Sequence, residues 1–464
     1  LYYHAGTYNL SNMEHHGALS LVPTMAVLVL ALWTRKTFEA LLGGALLGYL
    51  LLSPKTFFTS FSEGLLKVMQ DPTIGWIILV CGLFGSLIFL LASSGGALAF
   101  ASFMLRHVKS RKGALIATWL LGLSIFIDDY LSALTVGSTM KKLTDKFGVS
   151  REMLAYIVDS TAAPVCVIIP LSTWAIYIAG LLESEGVANA GEGLQAYLRV
   201  IPFIAYGWAA AALVPLVALG IVPPLGAMRK AEERAKSGIL APPGSEAISL
   251  HLPEAEESGD PKLGNFAWPV FVLIGATIFF GNDALKGILT AVAFTIAFYL
   301  LRRTIPFTRA MDGVFEGFKT MLNALAIVVM SFVLKEVNER LGLTEYIIDG
   351  VSPWMNRALL PVIAFVALSV VTFATGSFWG VYAISLPIIV PLAEALQVHP
   401  WLAVGAVVSA GAFGSHACFY GDATVLSSSA TGCNNMAHVL TQLPYTLLAG
   451  LVSVFIYLIL GYAM

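Results

Sequence analysis

Asp128 and Asp129 sit side by side in Leu-Gly-Leu-Ser-Ile-Phe-Ile-Asp-Asp-Tyr-Leu-Ser-Ala-Leu-Thr-Val-Gly, a stretch apolar enough to lie in a bilayer. A carboxylate at mid-membrane costs about 2.5–3.5 kcal/mol on insertion scales, so it persists beside a cation, a proton or a wet cavity. Two more acids occupy apolar runs, Asp159 in Asp159-Ser160-Thr161-Ala162-Ala163-Pro164 and Asp422 in Tyr420-Gly421-Asp422-Ala423-Thr424. A hard cation such as Na⁺ prefers oxygen ligands, a carboxylate or two with neutral hydroxyls. The candidate ion- and substrate-binding set is therefore Asp128, Asp129, Asp159, Ser160, Thr161, Thr375, Ser377, His416, Asp422 and Thr424. Asp128, Asp159 and Asp422 are the expected direct ligands of the cation.

Successive helical residues point about 100° apart, so Asp128 and Asp129 cannot both face one ion from regular helix. One is expected to ligate while the other holds the turn, or one simply caps a helix N-terminus. Two neighbouring carboxylates also repel, which makes one of them a candidate for an exchangeable proton. Asp159 has a plainer reading, with Asp-Ser-Thr satisfying the backbone of a broken helix. His416 is either a proton relay or a histidine bonded to nearby backbone. Glu39, Glu63, Asp312, Glu316 and Glu394 fall near the ends of apolar runs and read as solvated interfacial acids.

The elements that position these residues follow from the composition. Of 464 residues, 58% are apolar and 12% charged, against about 25% charged in an ordinary soluble domain. Mean hydropathy is +0.81. This is the composition of an all-α polytopic membrane protein, long enough for roughly ten spans. Apolar runs cover 18–34, 38–53, 74–105, 113–140, 152–183 and 198–222, then 266–281, 287–301, 318–335, 357–394, 400–432 and 441–463. Between the two sets lies a polar stretch, with Arg229-Lys230, Glu232-Glu233, Pro242-Pro243 and Glu254-Ala255-Glu256-Glu257. The expected organisation is an N-terminal segment 1–17, a first repeat 18–225, a cytoplasmic linker 226–265 and a second repeat 266–464. Residues 18–34 read as a retained span because no charged n-region or Ala-x-Ala site accompanies them, and Met13 is a candidate native start.

Lys and Arg concentrate on cytoplasmic loops. Placing Arg35-Lys36, Arg106 to Lys112, Lys141 to Arg151, the linker and Arg302 to Lys319 in the cytoplasm leaves seven of 26 basic residues on the other side. That partition requires 113–140 and 357–394 to enter and leave on one side as re-entrant hairpins. Each half then has five spans, one of them broken, plus a hairpin, and the halves begin on opposite sides. This is an inverted-topology repeat, whose sites form at mid-membrane from interrupted helices. The interruptions fall in paired positions, at Asp128-Asp129-Tyr130 and Thr375-Gly376-Ser377 in the hairpins, and at 158–164 and 411–424 in the long runs. Irregular backbone at that depth needs protein or a wet cavity to satisfy it, so the four breaks are expected to meet at one centre.

At these residues the chain resembles the NhaC-type Na⁺/H⁺ antiporter family of the ion transporter superfamily. The resemblance runs from Gly17-Ala18-Leu19-Ser20-Leu21-Val22-Pro23 to Thr441-Gln442-Leu443-Pro444-Tyr445 and is densest at Asp128-Asp129-Tyr130, Leu143-Thr144-Asp145, Ser150-Arg151-Glu152, Ala155-Tyr156-Ile157 and Asp159 to Pro164. It implies inverted repeats with paired hairpins, a homodimer, and an elevator-like transport domain moving against a scaffold. It also implies an ion-coupled secondary active transporter in the inner (plasma) membrane, with Na⁺, H⁺ or both as coupling ion and no cofactor. The second half departs from the family's Gly-Asp-His-Cys-Ser-Pro-Ile-Ser-Asp-Thr-Thr, reading Gly414-Ser415-His416-Ala417-Cys418-Phe419-Tyr420-Gly421-Asp422-Ala423-Thr424. A later Gly-Cys-Asp-His appears as Gly432-Cys433-Asn434-Asn435. With fewer hard ligands and more aromatic surface, an amino acid or organic acid carried with Na⁺ or H⁺ stands as the alternative cargo.

Other classes fit less well. An intramembrane aspartyl protease needs a Gly-x-Gly-Asp loop, and Phe419-Tyr420-Gly421-Asp422 lacks the first glycine. A channel would share the polar breaks, but paired hairpins with acids suit alternating access. The chain has no Gly-x-x-x-x-Gly-Lys-Ser/Thr for ATP and no basic tract for nucleic acid. The four cysteines, Cys81, Cys166, Cys418 and Cys433, have no metal-ligand spacing and read as small packing residues.

Overall fold

The computed structural model of the chain describes residues 15–464 apart from 35, 127, 128, 171, 185, 190, 246–261, 282 and 377. Every regular element among the described residues is a helix. Ahead of the polar stretch come α1 (Val22–Thr34), α2 (Thr37–Leu52), α3 (Phe57–Met69), α4 (Pro72–Ser93), α5 (Gly96–His107), α6 (Arg111–Ser124), α7 (Asp129–Lys146), α8 (Arg151–Thr161), α9 (Ala163–Cys166), α10 (Thr173–Ser184), α11 (Gly193–Val200) and α12 (Ala205–Ala218). After α13 (Gly226–Lys236) follow α14 (Leu263–Phe279), α15 (Ala284–Leu301), α16 (Phe307–Thr320), α17 (Leu322–Arg340), α18 (Leu343–Val351), α19 (Leu360–Thr375), α20 (Phe378–Ala395), α21 (Pro400–Ala417), α22 (Asp422–Thr431) and α23 (Asn435–Ala463).

Local chemistry sets the helix ends. Ser110, Ser150, Asp283 and Asn434 each accept a backbone N–H from the first turn of the helix they precede, satisfying one of its orphan donors. Gly376 and Gly432 end α19 and α22 in the left-handed conformation, φ +71° and +68°, where a side chain would be strained.

Among the described residues, three helices are long and apolar enough to cross a bilayer unbroken, Ile74–Ser93, Ala284–Leu301 and Asn435–Ala463. Four pairs qualify only as bent units: α2 with α3 at 118°, Gly193–Phe203 with α12 at 57°, α16 with α17 at 41°, and α21 with α22 at 42°. Phe271, Phe279 and Leu301 are 66, 82 and 86% exposed, a surface that suits lipid rather than water. The chain is an all-α membrane protein, cut more finely than its apolar runs suggest. The run 74–105 divides at Ser94-Gly95, where Gly95 takes φ +71° and Ser94 Oγ accepts the Gly96 N–H.

Two hydrophobic cores organise the helices. In the first body α1–α5 pack with α14–α17, α4 against α16 and α2 against α17. Gly85 and Gly317 bring the α4 and α16 backbones into contact, leaving no space for a Cβ on either. Ser86 Oγ donates to the Val314 carbonyl at 2.7 Å across the same crossing. The second body packs α6 and α8–α12 with α19–α21 and α23. Between them α7 and α22 lie side by side and parallel, since Tyr130 meets Asp422 and Gly137 meets Ala430.

The first part of the polar stretch is docked on the second body. Arg234 grips the buried Glu152 of α8 with two parallel hydrogen bonds of 2.9 and 2.7 Å. Glu232 accepts from Arg111 and from Ser150 Oγ. The Arg151 N–H donates to Leu240 O, and the Asn434 N–H to Ser245 Oγ.

Candidate functional site

The breaks in the helices are held to one another by side chains. Cys166 Sγ, at the end of α9, lies 3.2 Å from the Phe126 carbonyl at the α6–α7 tip. Cys418 Sγ, at the end of α21, lies 3.2 Å from the Phe373 carbonyl near the end of α19. Each sulfur thus ties a helix-pair tip, between α6 and α7 or near the end of α19, to a neighbouring broken helix. Contacts between halves complete the centre. Tyr130 on α7 donates to Asp422 on α22, and Trp174 on α10 stacks on Phe378 of α20 with ring centroids 3.9 Å apart. Trp174 Nε1 also donates to Asp129 Oδ1 at 3.1 Å.

Asp422 opens α22 and is buried. Its Oδ1 accepts the Ala423 N–H at 2.8 Å and its Oδ2 accepts the Tyr130 hydroxyl. Thr424 donates to the Ser415 carbonyl across the α21–α22 break at 3.2 Å. Tyr420 in that break reaches the second hairpin, donating to Ala374 O at 2.9 Å. The Ala374 carbonyl also accepts from Thr24 on α1 and Asn338 on α17, groups of the first body.

Asp159 lies near the end of α8, fully buried. Its Oδ2 receives Gln442 Nε2 at 2.7 Å and His438 Nε2 at 3.1 Å, both from α23. A carboxylate accepts only, so His438 carries its hydrogen on Nε2. Gln442 Nε2 also donates to the His416 carbonyl at 2.7 Å, stitching α8 to α21. The His416 ring lies between Ser160 Oγ at 3.1 Å and the Tyr206 hydroxyl at 2.7 Å. Asp159 therefore pairs with a histidine, not with Lys or Arg.

The structure thus brings Asp159, Ser160 and His416 into one cluster and places Asp422 and Thr424 beside it, on the next turn of chain. Asp129 opens α7 against Trp174. Thr161 and Thr375 spend their hydroxyls on their own helices, on Ile157 O at 2.8 Å and Val371 O at 3.0 Å. Asp128 and Ser377 lie outside the described residues. Asp159 and Asp422 have different partners, and among the described residues no three His, Cys, Asp or Glu side chains form a metal-holding group. His438, Gln442, Tyr206 and Trp174 are additions the sequence reading missed. A signal existed for two of them: His438 and Gln442 are four apart on an otherwise apolar helix, hence on one face of it.

With this geometry in view, sequence comparison is decisive. The sequence model of the Na⁺/H⁺ antiporter family matches residues 195–462, a span that holds His416, Asp422, His438 and Gln442. The chain belongs to the Na⁺/H⁺ antiporter family. An uncharacterized protein of Haemophilus influenzae is 30% identical over 488 aligned positions, covering 96% of this chain and 91% of the relative. A structure of Neisseria gonorrhoeae MtrF, reported as illuminating a class of antimetabolite efflux pumps, aligns with 88% of this chain and 85% of its own at 13% identity. Its TM-score of 0.37 makes that a distant likeness. As a family member the chain is a membrane transporter of the secondary class.

Proposed function

We propose that this protein exchanges Na⁺ for H⁺ across the inner (plasma) membrane by alternating access. The observation that carries the reading is a fully buried carboxylate at a helix break, Asp159, whose ion-pair partner among the described residues is His438, with Gln442 beside it and no Lys or Arg. A carboxylate in the membrane interior is offset by a cation or by a proton. Because one charge needs one counter-charge, the two occupants exclude each other, and that exclusion couples their movements. Asp422 at the second break and Asp128 at the first hairpin tip are the further cation ligands of the reading.

The paired features support two inverted repeats. A cysteine ties hairpin to broken helix once in each half. The helix after each hairpin tip meets the helix after the opposite half's break, α7 with α22 and α20 with α10. Two hydrophobic cores, which meet along α6, α8 and α23, suit an elevator, with the second body moving against the first. A homodimer would anchor the first body, and Na⁺ and H⁺ serve as cargo with no resident cofactor.

A second reading keeps the scaffold and changes the cargo. Trp174, Phe378 and Tyr420 place aromatic surface at the same breaks, which suits an amino acid or organic acid moving with the ion. Proteoliposomes holding a pH-sensitive dye separate the two. Proton movement on a Na⁺ pulse alone supports exchange. Silence with Na⁺, and a response that requires one organic solute, replaces it with the second reading.

A further inference from the structure

Resting on the cation reading above, we infer that Gln442 is itself a cation ligand and that the ion is held by Gln442 Oε1 together with Asp159 Oδ1. The side chain of Gln442 is fully buried. Its amide nitrogen faces two acceptors, Asp159 Oδ2 and the His416 carbonyl, each at 2.7 Å. Turning the amide over would set its oxygen against both, so the orientation is fixed by its partners. Oε1 is therefore turned from both, and no protein donor meets it in hydrogen-bonding geometry.

The same bonds unbalance the carboxylate. Asp159 Oδ2 takes two donors, His438 and Gln442, while Oδ1 takes none. Two buried acceptor oxygens, one charged and one neutral, thus belong to the two side chains joined by one hydrogen bond, and neither receives a donor in hydrogen-bonding geometry. Native interiors seldom leave such atoms unmatched, and a charged one beside a neutral one is a place for an ion, a water or another functional role. A carboxylate oxygen with an amide oxygen is the ligand chemistry a hard monovalent cation selects. Asp422 differs, since the chain itself supplies a donor to each of its oxygens. Of Asp159 and Asp422, the one with an oxygen that takes no donor is Asp159.

The test is cation binding, read as thermal stabilisation of the full-length protein in detergent while Na⁺ replaces choline at constant ionic strength. A ligand that binds the folded state stabilises it in proportion to the logarithm of its concentration over Kd, so the shift reports affinity. Gln442→Leu is expected to weaken Na⁺ at least tenfold, as Asp159→Asn does. If the leucine beside a buried carboxylate prevents folding, Gln442→Asn serves instead, keeping the amide but withdrawing it by one methylene. Wild-type Na⁺ affinity in a folded Gln442 variant, with loss in Asp159→Asn, overturns the role of Gln442 and leaves the cation reading standing. It would also mean that the two oxygens share a water. A wild-type protein that neither Na⁺ nor Li⁺ stabilises overturns the cation reading as well.

Discussion

Tyr130, one position past the paired aspartates, donates its hydroxyl to Asp422 at the start of α22, 292 positions later in the chain. This contact joins the tip of the first hairpin to the break in the second half. Tyr130→Phe leaves a buried carboxylate oxygen without its donor, a cost of about 1–3 kcal/mol. The expected result is a lower unfolding midpoint in detergent. In Asp422→Asn the same tyrosine change is expected to cost measurably less, since a double-mutant cycle isolates the pair.

Arg234 and Glu152 hold α13 against α8 with a two-pronged contact, and Glu152 is buried. Removing one partner of a buried pair costs about 3–5 kcal/mol because the other is left uncompensated. Arg234→Ala is expected to reach that range by equilibrium unfolding. Arg234→Lys should recover only part of it, because an ammonium lacks the planar fork.

Gly85 and Gly317 set the spacing of α4 and α16. A Cβ on Gly85 would strike the Gly317 carbonyl, which is backbone and cannot rotate away. Gly85→Leu is expected to lower the yield of folded protein and to destabilise what remains by about 1–3 kcal/mol or more. Gly75→Ala on the same helix, where a Cβ meets nothing within 4 Å, should be neutral to slightly stabilising, since glycine is the poorer helix former.

In the elevator reading proposed above, movement of the second body against the first would break the polar ties between them. Asn435 Nδ2, at the start of α23, donates to Thr37 Oγ1 on α2 at 3.1 Å. Thr37→Cys with Asn435→Cys, bridged by a short thiol-reactive linker, is expected to stop transport until the bridge is cleaved. The four native cysteines are buried, so the reagent should find the new pair. Full transport by the bridged protein would rule out relative motion at this point.

The sequence carried the helical membrane class and the acids at the chain breaks, because apolar runs and charges within them are local properties of the chain. Cys166 and Cys418 are small packing residues by composition; they do pack, and each also reaches a hairpin carbonyl. What stayed hidden was pairing. Nothing near Asp159 in the chain announces His438 or Gln442, which arrive on α23 only through tertiary packing. The amphipathic α3 leaves no long apolar run in the sequence, because Ser60, Ser62, Glu63 and Lys67 interrupt it. The charges of the polar stretch suggested a solvated linker, yet Glu232 and Arg234 find buried partners on the second body.

The central claim is that Asp159 holds the exchanged ions. The direct measurement is Na⁺-driven proton movement in proteoliposomes, comparing wild type with Asp159→Asn, a variant of nearly the same shape that carries no charge. The account predicts robust exchange by wild type and a loss of at least about a hundredfold in Asp159→Asn, equivalent to nearly 3 kcal/mol of lost stabilisation, with the variant still folded. Exchange by Asp159→Asn at the wild-type rate would contradict it.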